Sequence, residues 1–391
     1  YKKNKSKLNI TFNRIAFIFF VFLIISTIYS IKVIYLGSLN LKQTPLKSDK
    51  LKTNYRADIV DRNGNFVVKT INTVDIGINP KLVIDKKKLL INLRLIFPNK
   101  DFNKIKKKLN GKSFFYLEKK VSQENYEKLR LLGDKSIIPE EKLSRIYPQE
   151  NLFSHIIGQI DDDNNGISGI EKYYDYELKK IEKSLRLTVD TDIQFLIRQE
   201  LIRFKDIFKN VGSSAILMNV DNGEIISMVS LPDFNLNKRE NIKDKIYINR
   251  ATKGVYELGS VFKTFTLAAG INEGVIDTDT EFIDLPKKIW CAGNPIGEYD
   301  DKIPTDLTAE QIFVRSGNIG SVRIAQKIGI EKFVNFLNKI GVLEKMEFDI
   351  YEVGEPQAGR WGKCKLATAA FGHGVSTTLL QLAKAYSIIV N

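Results

Sequence analysis

Ser260 and Lys263, three apart in the stretch YELGSVFKTFTLAAG from Tyr256 to Gly270, are the pair most suited to chemistry in this sequence. A serine hydroxyl is a poor nucleophile until a base takes its proton, and an amine one helical turn away is within reach of it. Phe262, Phe265, Leu267 and Ala268 follow at roughly helical spacing, which predicts a helix opened by Gly259 and Ser260. Lys263 then lies one turn on, on the same face. To act as a base the amine must be neutral, which requires partial burial or a cationic neighbour. The helix N-terminus adds a positive field where an oxyanion would form. An N-capping serine beside a solvent-facing lysine has the same spacing. Two features favour chemistry: no other S-x-x-K occurs in the chain, and Ser316-Gly317-Asn318 follows in the S-x-N form, within RSGNIGSVRIAQKIG from Arg315 to Gly329.

The rest of the chain must position these groups. With 391 residues, 43% of them hydrophobic, it can bury a core and divide into more than one domain. A net charge of +14 reads as lysine spread over solvated faces. Such an exterior suits anionic lipid headgroups or wall polymers. Nucleic acid is not an expected partner, because the basic residues are dispersed and lack aromatic interleaving. Cys291 and Cys364 have no metal-ligand spacing; two buried thiols are expected, with one disulfide the alternative in an oxidising compartment. His155 and His373 are the only histidines, which supports neither a Ser-His-Asp triad nor a zinc site. No metal or organic cofactor is expected.

Residues 1–14 are polar and basic, with Lys2, Lys3, Lys5, Lys7 and Arg14 and no acid. Ile15 to Ile31 is uncharged and almost wholly apolar, Lys32 sits where it can snorkel, and the apolar character continues to Leu36. This predicts an uncleaved transmembrane helix over 15–36, a cytoplasmic tail over 1–14 and an exported remainder. A lysine-rich linker is expected over 37–54. Asp61-Arg62-Asn63-Gly64 between Ile59-Val60 and Phe66–Val68 predicts a hairpin, as does Asp221-Asn222-Gly223 between two apolar runs. Lysine-rich amphipathic helices fill 85–110, and Ser122 reads as the N-cap of another. Asp161 to Asp163 lacks the spacing of a calcium loop and reads as a turn. LRLTVDTDIQFLIRQELIRF, from Leu185, reads as a strand entering a helix capped by Asp190 or Thr191, and the closing FGHGVSTTLLQLAKAYSIIVN as a turn entering an apolar helix. The fold class is α/β (α+β).

These stretches together resemble a class B penicillin-binding protein, most closely the division-specific (FtsI-type) peptidoglycan D,D-transpeptidases. RADIVDRNG looks like that family's pedestal entry motif, and RIYPQENLFSHIIGQID with GISGIEKYYD like its approach to the catalytic module. NRATKGVYELGSVFK resembles the nucleophile box and VRSGNIGSVRIAQKIG the S-x-N box. Leu258, Val261 and Gly317 stand where the family commonly has Pro, Thr and Ser. The K-[ST]-G strand is absent, which makes a chain that stops within its catalytic domain the expectation. The resemblance implies a non-catalytic pedestal over 55–184 and a penicillin-binding/β-lactamase-like transpeptidase domain over 185–391, incomplete at its C-terminus. It implies that Ser260 is acylated by a stem peptide, Lys263 takes its proton, Ser316 relays a proton to the leaving amine, and Asn318 orients Lys263 and binds the donor. The backbone N–H of Ser260 would be one oxyanion donor and the missing strand would supply the other. Losing one such donor costs about 3–4 kcal/mol, so the chain as it stands is expected to be nearly inactive. Implied partners are peptidoglycan stem peptides, β-lactams, the cytoplasmic membrane through one span, a division glycosyltransferase and other divisome proteins. An elongation-type transpeptidase, a penicillin sensor, a carboxypeptidase or β-lactamase, and a non-catalytic divisome scaffold remain the alternatives.

Overall fold

The computed structural model describes residues 2–38, 55–180, 183–238 and 244–391. All but the start of the linker expected at 37–54 lies outside them. The chain forms two compact units, divided at Thr53 and Asn54.

The first unit contains helix α1, Lys2–Ser38. Its stretch Arg14–Tyr35 has a mean hydropathy of 2.4 over an 18-residue window and is long and apolar enough to cross a membrane. Phe17, Phe19 and Phe22 are exposed along it. Its Thr27 hydroxyl donates back to the Leu23 carbonyl at 2.8 Å, which satisfies it without water.

The second unit begins with the first of the two expected hairpins. Strands β1 (Ile59–Val60) and β2 (Phe66–Ile78) flank a turn in which Asp61 Oδ1 accepts the N–H groups of Asn63 (2.9 Å) and Asn65 (2.8 Å). Helices α2 (Lys86–Ile96) and α3 (Phe102–Leu109) are capped by Asp85 and Asp101. Strand β3 (Phe115–Val121), helix α4 (Gln123–Leu131, capped by Ser122) and strand β4 (Ile137–Ile146) complete this part. β2 pairs antiparallel with β4 from Lys69↔Ile146 to Ile78↔Ile137, and with β3 on its other side. Leu89, Leu93, Phe102, Ile105, Leu109 and Leu129 bury the helices against this sheet.

Strand β5 (Leu185–Arg186) lies parallel to β1 and leads to helix α5 (Thr191–Phe208), capped by Asp190. β6 (Ser213–Met218) and β7 (Ile225–Leu231) form the second hairpin. Buried Gln194 of α5 fastens the helix to it: Oε1 accepts from Ser227 Oγ (2.6 Å) and Met228 N (2.9 Å), while Nε2 donates to the Met228 carbonyl (2.8 Å). Strand β8 (Tyr256–Glu257) precedes a 3-10 turn, Gly259–Phe262, and helix α6, Lys263–Asn272. Then come β9 (Glu281–Phe282), β10 (Lys288–Cys291), β11 (Asn294–Gly297) and β12 (Leu307–Thr308). Helices α7 (Ala309–Val314), α8 (Asn318–Ile328), α9 (Ile330–Lys339) and α10 (Lys363–Ala369) follow, with β13 (Ser376–Thr377) and α11 (Leu379–Val390) last. Phe262, Phe265, Ile319, Val322, Phe333 and Leu337 centre the core beneath α6 and α8.

A middle core joins early and late residues: Ile59, Val68, Phe153, Ile157 and Ile170 pack with Met228, Ile350 and Leu380. Beside it lies an ion cluster that the sequence pattern does not announce. Arg56 and Glu171 are fully buried and paired at 2.5 Å, Arg56 reaches Asp175 at 2.7 Å, and Arg145 reaches the other Glu171 oxygen at 2.8 Å. Arg145 also donates to the carbonyls of Arg56 (3.0 Å) and Ala57 (2.6 Å).

Candidate active site

Three fastenings set the 3-10 turn that carries Ser260. β8 pairs with β13, Glu257 opposite Ser376. Gly259 N donates to the Gly372 carbonyl at 3.2 Å, and a Cβ on Gly372, whose φ is +80°, would lie 2.0 Å from the Gly259 carbonyl oxygen. The close approach therefore requires glycine. From α11, Tyr386 Oη donates to the Val261 carbonyl at 2.8 Å. Ser260 is exposed, and among the described residues neither its hydroxyl nor its N–H has a hydrogen-bond partner. Both are the free groups that an attacking oxygen and an oxyanion donor must be.

Lys263, one turn later, is buried to 3% exposure. Burial pushes its ammonium down to about 8, against a smaller opposing pull from the Glu298 carboxylate. Its Nζ donates to Ser316 Oγ at 2.9 Å and also to the Ser316 carbonyl. Ser316 takes φ +52°, a left-handed conformation uncommon for serine, and in it both oxygens meet the amine.

Asn318 begins α8, and its Nδ2 donates to the Gly297 carbonyl at 2.9 Å, at the end of β11. The structure thus brings Lys263 and Ser316 into contact beside Ser260, while the Asn318 amide is held by β11 and not by Lys263. Sequence reasoning missed Glu298, whose carboxylate accepts the N–H groups of Asn318 (2.6 Å) and Ile319 (2.9 Å). Its partners are some twenty positions away, and no local pattern marks it. The cysteines correct another expectation: they are not two thiols but a Cys291–Cys364 disulfide, with Cα atoms 5.4 Å apart. It ties the end of β10 to α10, a proximity created by folding across 73 residues and invisible to spacing.

The penicillin binding protein transpeptidase domain matches residues 213–391, and the penicillin-binding protein dimerisation domain matches 52–200. The chain belongs to the class B penicillin-binding proteins. It is 27% identical over 341 residues to the probable peptidoglycan D,D-transpeptidase FtsI of Caulobacter vibrioides, covering 86% of this chain and 58% of that one. It is 26% identical to the peptidoglycan D,D-transpeptidase FtsI of Escherichia coli strain K12, covering 85% and 62%. It therefore spans about six tenths of each relative. The crystal structure of a peptidoglycan synthetase from Bifidobacterium adolescentis shares the fold, with a TM-score of 0.63 at 20% identity, covering 87% of this penicillin-binding protein and 72% of that chain.

Proposed function

We propose that this protein is a serine-type D,D-transpeptidase that cross-links peptidoglycan stem peptides during septal wall synthesis. The observation that carries the reading is a buried amine of lowered pKa, one turn from an exposed serine and hydrogen-bonded to Ser316. Ser260 Oγ attacks the D-Ala–D-Ala carbonyl of a donor stem as neutral Lys263 takes its proton. The Ser260 N–H stabilises the oxyanion, and the proton reaches the leaving D-Ala amine through Ser316 Oγ. The amine of a second stem then attacks the Ser260 ester, forms the cross-link and frees the hydroxyl. Asn318 holds the donor backbone from the start of α8. β-Lactams acylate Ser260 as mimics of the donor. The pedestal spans 55–184 and the transpeptidase domain begins at 185. α1 is the single span in the inner membrane, with its N-terminus in the cytoplasm and the site outside, where a division glycosyltransferase and other divisome proteins meet it.

The full-length protein and its Ser260→Ala variant, incubated with a labelled penicillin, test the reading. Covalent label on the parent and none on the variant is expected. A folded parent that takes no label would overturn the catalytic role and leave a divisome scaffold.

A further inference from the structure

We infer that Glu298 is a positioning residue for this site, fixing the Ser316–Asn318 segment from the β10–β11 hairpin and acting with its charge on the base. The start of α8 lacks a cap of its own, because Gly317 at the N-cap has no side chain to offer. Glu298 supplies the cap from elsewhere in the chain, with one carboxylate oxygen on Asn318 N and the other on Ile319 N. The hairpin is further joined to the segment by Asn318 Nδ2 on the Gly297 carbonyl and by Tyr299 Oη on the Arg315 carbonyl at 3.2 Å. Its other end is held by the Cys291–Cys364 bond. Ser316, which grips Lys263, therefore stands in a loop whose following residues are clamped by Glu298.

Glu298 also faces the base electrostatically. Of the elements packed on α6, α11 meets it through the uncharged Tyr386 and the end of α10 through the Ala370 carbonyl, and neither contact brings a charge. The 3-10 turn of Ser260 carries none, and the loop before α8 offers the Ser316 hydroxyl and carbonyl, while its Arg315 is exposed. α8 begins with uncharged Asn318. α9 forms its ion pair to Glu273 through Lys332 at the opposite end of α6, and the charged Glu310 of α7 is exposed. The Glu298 carboxylate opposes burial by favouring the protonated amine, so removing its charge makes Lys263 a weaker proton holder and a base usable at lower pH.

This role rests on the acylation proposed above. Its test is the rate of Ser260 labelling by penicillin across pH 5–10 in the full-length protein, Glu298→Gln and Glu298→Ala. Glu298→Gln loses the charge and keeps one of the two acceptor oxygens, and its acid limb is expected to move to lower pH. Glu298→Ala loses the charge and both acceptors, and its plateau rate is expected to fall about tenfold. If Glu298→Ala does not fold, the midpoint of Glu298→Gln decides alone. Label on the parent with an unmoved midpoint in Glu298→Gln overturns the role of Glu298 and leaves the acylation intact. A parent without label overturns both.

Discussion

At the scale of single residues the site is a problem of protonation. Under the proposed reading Lys263 is a base and must be neutral to act, and burial brings its pKa down to about 8. Lowering pH below that value protonates the amine, so acylation should slow about tenfold for each further pH unit and level off above about pH 9. Rapid-quench measurement of penicillin labelling across this range checks it; a rate flat from pH 6 to 9 would remove Lys263 as the base. Lys263→Arg keeps a cation of similar length that stays charged at every working pH. It should lose a factor on the order of 10²–10⁴ in the same assay. The positive φ of Ser316 belongs to the same problem, because this backbone turn sets both of its oxygens on one amine.

At the scale of elements, the stability of the region around β1 hangs on an ion cluster. Glu171→Ala would leave Arg56 and Arg145 buried without their shared carboxylate, at a cost of about 3–5 kcal/mol. Urea unfolding of the parent and variant would read that difference, and a change below about 1 kcal/mol would show the cluster to be dispensable. These residues also mark where the sequence stops being readable. Ser260 and Lys263 were legible because one helical turn relates them, and both hairpins were legible because an Asn-Gly step demands a tight turn. Glu171 looks like any acid on a solvated face until Arg56 and Arg145, 115 and 26 positions away, close over it. The two-residue strands β8 and β13 are too short to show a period, yet they set the turn that carries Ser260. Glu298 was silent for the same reason: its role exists only once β11 lies beside the start of α8.

At the scale of the molecule, α1 and the second unit belong to different solvents under the reading proposed here. A reporter that is active only after export, fused after residue 60 of the full-length chain, should be active, and one fused before Arg14 should not. The reverse pattern would invert the orientation. In the second unit, the Cys291–Cys364 bond closes a covalent ring in a chain that is otherwise linear. Glu298, Ser316 and Asn318 lie inside the ring, while Ser260 and Lys263 lie on the open arm that leads into it. The site is thus a junction between an open arm that carries Ser260 and Lys263 and a circle that carries Ser316, which holds the Lys263 amine. A single break in the backbone of the circle leaves its pieces joined, so one cut does not release the Ser316–Asn318 segment from the protein.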